Sequence, residues 1–174
     1  MLSVWLPLTE DLRNYGLFNL PASSFDTRIR YTDGKLGQYC YGDCAIYHIG
    51  QEWLGNTWSL ACWVKSSEWS NYNDIILCKN TTSSTEAQFY FSIIGGKQLN
   101  IGCNAGSQTL KASYTFATNT WYHVAATYDG TTLKLYLNGN EIASKAYTSV
   151  QKTGMNNLCI GCRSQNTGGT SATG

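Results

Sequence analysis

The chain has 174 residues and a formal net charge of +1, with 12 basic and 11 acidic side chains scattered singly along it. That pattern excludes a basic stripe able to neutralise nucleic-acid phosphates and a polybasic membrane-surface segment. No apolar run approaches the roughly 18 residues of a membrane-spanning helix, so neither nucleic-acid binding nor membrane insertion is expected. Charged residues make up only 13%, about half the usual globular share. Two prolines, 17 glycines and 13% aromatics predict strands joined by turns. A chain of this length forms one domain, here spanning 1–174, and buries about 70% of its extended surface without help from a metal or a disulfide. The opening MLSVWLPLTEDL has neither the basic start nor the apolar run of a secretory signal, so synthesis in the cytoplasm is expected.

In chain order, period-two patterns predict strands at 3–8, 40–49, 59–65, 74–80, 87–94 and 98–104, followed by 109–116, 121–129, 132–138, 141–147 and 157–162. Gly95-Gly96, Asp129-Gly130 and Asn138-Gly139 separate several of them, and these dipeptides tolerate the positive φ of tight hairpin turns. About eleven strands in one domain predict an all-β, two-sheet antiparallel sandwich. The clearest stretch is WYHVAATYDGTTLKLYLNGNEI at 121–142, a two-hairpin meander. Both faces of its first strand are apolar or aromatic, so that strand is expected to be covered on both sides. Trp63, Val64, Trp121, Val124, Leu135 and Leu137 are expected in the core, with Trp5 and Trp58 in or beside strands as well.

Seven cysteines cannot all pair within one chain. Cys62, Cys78 and Cys103 lie in apolar alternation, where a free thiol acts as a small buried hydrophobe, and a reducing compartment is the simpler account. Cys40-x3-Cys44 and Cys159-x2-Cys162 together offer four zinc ligands, but LCIGC reads as a strand rather than a knuckle.

The meander WYHVAATYDGTTLKLYLNGNEIA resembles the signature of laminin-G-like domains in the concanavalin A-like jelly-roll superfamily. DGKLGQYCYGDCAIYHI (33–49), WSLACWVKS (58–66) and LCIGC (158–162) are similar to three further family segments in the same order. The resemblance implies a jelly-roll sandwich. The opening SVWLPLTEDLRNYGLFN is similar to the start of laminin-G-like modules in structural proteins of phages and prophages of gut Firmicutes. Two departures stand out. Tyr41-Gly42-Asp43 replaces the family's F-D-G, displacing the acidic residue of an inferred calcium site, so no cofactor is expected beyond a weak calcium site. The family's closing strand after L-x-I-G has no counterpart before Gly174. That implies a fragment of a longer chain, an edge left exposed at the strand 3–8 (its partner in the family's sheet), or donation of a strand there by another polypeptide.

Glucanases of the superfamily place E-x-D-x-E on one strand, and no such triplet exists here. The two histidines, His48 and His123, belong to no recognisable catalytic motif, and the chain is read as a non-enzyme. Binding is better supported. In SSEWSNYND (66–74), Trp69 and Tyr72 offer aromatic planes for sugar rings, while Asn71, Asn73 and Asp74 offer hydrogen bonds to hydroxyls. The alternative is that Trp69 folds back to cap the sandwich, and Trp53 is a second aromatic candidate. The expected role is a glycan-binding or structural module on a virion, with surface glycans or other virion proteins as partners. Its rivals are a secreted adhesin or accessory domain of a carbohydrate-active enzyme, and a purely architectural module.

Overall fold

At 58–64, 122–128 and 132–137 the period-two alternation of the sequence becomes pleated strand, because each second side chain is apolar and turns to one common face. The structure, a computed structural model, describes residues 24–25, 30–34, 37–41, 45–47, 57–69, 73–80, 87–103, 108–147 and 158–160. Its strands are β1 (Ser24–Phe25), β2 (Arg30–Gly34), β3 (Gly37–Tyr41), β4 (Ala45–Tyr47), β5 (Trp58–Val64), β6 (Asn73–Asn80) and β7 (Ala87–Ile94). They continue with β8 (Gln98–Cys103), β9 (Gln108–Ser113), β10 (Tyr122–Tyr128), β11 (Thr132–Leu137), β12 (Asn140–Ala146) and β13 (Leu158–Ile160). The strand expected at 3–8, and with it the question of which strand pairs there, lies outside the described residues.

A seven-stranded sheet runs β1-β4-β13-β6-β7-β8-β9, and a four-stranded sheet runs β12-β11-β10-β5, while β2 and β3 form a separate hairpin. Phe91, Ile93, Leu99 and Ile101 from the larger sheet meet Val124, Ala126, Leu133 and Leu135 from the smaller one, all at most 1% exposed. This is the expected all-β antiparallel sandwich. The turn dipeptides behave as their chemistry requires: Gly95 and Gly96 both have positive φ, as do Asn138 and Gly139, which matches the twist of a two-residue hairpin.

Three expectations about burial need correction. Of the six expected core residues, Val124, Leu135 and Leu137 are buried, but Val64 and Trp121 are only half-buried and Trp63 is 38% exposed. Adjacent strand residues face opposite sides, so Trp63 and Val64 cannot both point inward. Trp63 shares the phase of Ser59 and Ala61 on the outer face, where its ring meets His123 edge-on at 5.2 Å. The outer face of β10 is accordingly half-covered rather than buried, and Trp121 lies beneath the Lys65 ammonium, 5.1 Å from its ring centre.

The cysteines divide in the same way. Cys62 and Cys103 are free thiols against the core, and burial pushes both up to about 12. Cys78 is out of phase with them. The core residues Phe91, Ile101 and Leu110 stand in one row whose register partner in β6 is Leu77, whereas Cys78 stands opposite Tyr90, in the row of Gly102 and Thr109. A register shift between Ile75 and Leu77 produces this change of phase, which a uniform alternation misses.

The β10–β11 turn is held by Asp129, whose Oδ1 accepts hydrogen bonds from the amides of Thr131 (2.8 Å) and Thr132 (2.7 Å) and from the Thr131 hydroxyl (2.8 Å). Those bonds, the Thr131 amide first, hold the carboxyl below its ordinary value. A lowered folded-state pKa stabilises the fold above the unfolded value of about 3.9, and that stabilisation is lost as pH falls through the folded value. Denaturation midpoints measured from about pH 5 down to about pH 2 should therefore fall less steeply in Asp129→Asn than in the parent chain.

Candidate ligand-binding site

One end of the sandwich gathers three segments: residues 66–69 after β5, the turn 95–97 between β7 and β8, and residues 114–120 between β9 and β10. The Phe116 amide donates to the Gly96 carbonyl (2.7 Å), Tyr114 to Lys97 (2.9 Å) and Asn119 to Ser66 (2.7 Å). Asn119 reaches that bond with a φ of 55°, a conformation Asn accepts more readily than most residues. The Ser66 hydroxyl donates to the Glu68 carbonyl and accepts from the Glu68 amide (3.3 Å), turning the chain toward Trp69.

An aromatic base lies beneath these bonds. Phe116, 3% exposed, has Trp69 at 5.7 Å and both Tyr114 and Tyr122 at 5.0 Å between ring centroids. The Tyr122 hydroxyl accepts from the Ala117 amide (2.9 Å), and the Trp69 indole donates to the Ala117 carbonyl (3.4 Å). Tyr114 rests edge-on against Phe116 and Tyr122 yet is 38% exposed. Desolvation, then Tyr122, raises its phenol above the ordinary value, so it remains a neutral group able to donate and accept. Glu68, Lys97, Thr118, Asn119 and Thr120, all in the three segments gathered here, are exposed. An aromatic surface fixed from below, at an end that also exposes amide, hydroxyl and charged groups, suits a flat, polyhydroxylated ligand.

Of the residues singled out from the sequence, Trp69 is half-buried, with one side committed to Phe116 and to the Gly96 backbone. Asn73 and Asp74 begin β6, opposite Ile94 and Ile93, which brings the start of that strand to the same end as the Gly95-Gly96 turn. Asn71 and Tyr72 lie outside the described residues, as do Trp53 and Asp43. Sequence reasoning missed Tyr114 and the segment 117–120. It extended the strand through Phe116, whereas β9 ends at Ser113. Tyr114 and Phe116 continue the alternation of Leu110 and Ala112, so no local signal marked the earlier end.

Glu68 and Lys97 bring ionisable side chains to this end, and three other such groups are engaged elsewhere. His123 faces Trp63 on the outer sheet face, Asp129 is bound into its turn, and Glu141 pairs with Lys134 at 3.0 Å. Among the described residues no three His, Cys, Asp or Glu side chains cluster as a metal site, and no helix is long and apolar enough to cross a membrane.

A laminin G-like family model, described as the concanavalin A-like lectin/glucanases superfamily, matches residues 42–174. The chain belongs to that superfamily. No curated protein matches the chain. Among solved structures, the superfamily member is similar to domain 4 of AbnA, a GH43 extracellular arabinanase from Geobacillus stearothermophilus, solved in complex with arabinotriose. The TM-score is 0.66 at 20% identity, covering 87% of this chain and 78% of that one. It is also similar to the CBM40 of the Ruminococcus gnavus IT-sialidase bound to α2,3-sialyllactose, with a TM-score of 0.53 at 17% identity over 60% of this chain and 63% of that one. A third likeness is to a tryptophan-to-alanine mutant of HCR D/C VPI 5995, with a TM-score of 0.66 at 17% identity over 98% of this chain but 45% of that one. At these identities the likeness is one of fold.

Proposed function

We propose that this chain is a non-catalytic saccharide-binding module, of the accessory kind that tethers a carbohydrate-active enzyme to its substrate. The observation that carries the reading is Tyr114, exposed on a fixed base of Phe116 and Tyr122, at an end whose gathered segments also expose Glu68, Asn119 and Thr120. Two structures of the same fold were solved with oligosaccharides, arabinotriose on an arabinanase domain and sialyllactose on a sialidase module, which supports the accessory reading. The aromatic end binds by stacking and hydrogen bonding, and needs neither a nucleophile nor a metal to do so.

Titration calorimetry with arabinotriose, sialyllactose and a panel of plant and host oligosaccharides tests the reading. Binding should be found in the panel, and Tyr114→Ala should weaken it roughly five- to thirtyfold, because loss of one stacking ring removes on the order of 1–2 kcal/mol. Undiminished affinity in that variant, or a panel without a binder, would sink the proposal. The opening segment's likeness to phage modules supports a second reading, in which the same end attaches a virion to a surface glycan. A gene flanked by tail and portal genes favours the virion, and one flanked by secreted enzymes favours the accessory module.

A further inference from the structure

The short strand β13 is three residues long, yet it joins β4 to β6 and so holds the edge of the larger sheet onto its centre. Its middle residue, Cys159, stands directly opposite Cys78 of β6 in an antiparallel register. Directly opposed residues of antiparallel strands have Cα atoms about 4.5 or about 5.5 Å apart, depending on the hydrogen-bonding position. Both spacings fall within the roughly 4.4–6.8 Å that a disulfide spans.

We propose that Cys78 and Cys159 are a disulfide-forming pair that locks β13 to β6. The oxidant is a low-molecular-weight disulfide of the oxidised-glutathione class. The Cys78 thiol loses its proton and its sulfur attacks one sulfur of that disulfide, forming a mixed disulfide and releasing one small thiol. The Cys159 thiol then loses its proton and its sulfur attacks Sγ of Cys78, forming the protein disulfide and releasing the second small thiol. Two protein thiols are oxidised and one small disulfide is reduced.

The two cysteines that pack against the core do not compete. Cys62 and Cys103 lie against the core with thiols held neutral by burial, and the thiolate is the reactive form. The closed loop encloses β7 through β12, so the crosslink removes much of the freedom of the unfolded chain. It acts where the native pairing is short, at a strand with three pairs on each side.

The test is non-reducing peptide mapping of the folded chain after equilibration with oxidised glutathione. Trypsin should release residues 66–79 joined to residues 153–163, a species lost on reduction. Because the second fragment also contains Cys162, the map is repeated on Cys162→Ser and Cys159→Ser, where the joined species should persist and vanish respectively. The oxidised parent should melt about 5–10 °C above its reduced form. Native alkylation of both Cys78 and Cys159 after that treatment, or a joined species that disappears in Cys162→Ser and survives in Cys159→Ser, would overturn the pairing. Tandem fragmentation of the joined species from the parent also places the link at Cys159 or at Cys162, so a substitution that fails to fold leaves the test decisive.

Discussion

Replacing Phe91 with alanine is expected to destabilise the domain by about 3–5 kcal/mol, a large part of the roughly 5–15 kcal/mol that holds a domain folded. Phe91 is 1% exposed in β7, at the centre of the larger sheet, in the row that includes Leu77, Ile101 and Leu110. Truncation removes a whole ring from a packed layer whose backbone is held by ladders on both sides, so the cavity cannot close. Trp121→Ala should have a smaller effect, although tryptophan is the larger residue. Its ring is half-buried and its Lys65 contact lies at the surface. Urea denaturation of the two variants checks the ranking. A loss under about 1 kcal/mol for Phe91→Ala would mean that the row is not core.

Gly96→Val is expected to cost about 2–4 kcal/mol and to weaken saccharide binding as well. Two effects combine. The residue has a φ of 61°, where a β-branched side chain is strained. A Cβ there would also stand 2.7 Å from both Cβ and Cγ of Trp69. Those atoms lie next to the Trp69 backbone, so relief requires the 66–69 segment to move rather than a side chain to swing. Moving it withdraws Trp69 from Phe116 and loosens the base under Tyr114. Gly96→Asn separates the effects, since Asn tolerates the positive φ but still carries the Cβ. Denaturation midpoints, tryptophan fluorescence and saccharide titration should all change in both variants. Native fluorescence and affinity in Gly96→Asn would mean that the Trp69 contact does not organise this end.

Strands were legible from sequence wherever the alternation was uninterrupted. β7, β8, β10, β11 and β12 fall within one residue of the expected spans, and the dipeptides at 95–96, 129–130 and 138–139 all occupy turns. The meander was the clearest because Tyr122, Val124, Ala126 and Tyr128 alternate with no break, and Leu133, Leu135 and Leu137 follow in phase. The site was less legible. Trp69 was visible as a loop tryptophan, but whether it faced solvent or the sandwich depended on Gly96 and Phe116, the latter 47 residues away. Tyr114 carried the phase of the core residues Leu110, Ala112 and Phe116, and nothing local showed that β9 would end one residue before it.

The sequence by itself determined the all-β class, the antiparallel meander and the turn positions. These depend on side-chain period and on which residues accept positive φ, both properties of neighbours along the chain. Only the tertiary structure decided which of Trp63 and Val64 turned inward, that Cys78 stands opposite Cys159, and that Tyr114 stays exposed above buried rings. Each of these depends on register between strands far apart in sequence. A one-residue shift in β6 exchanges its two faces while leaving its local alternation almost unchanged.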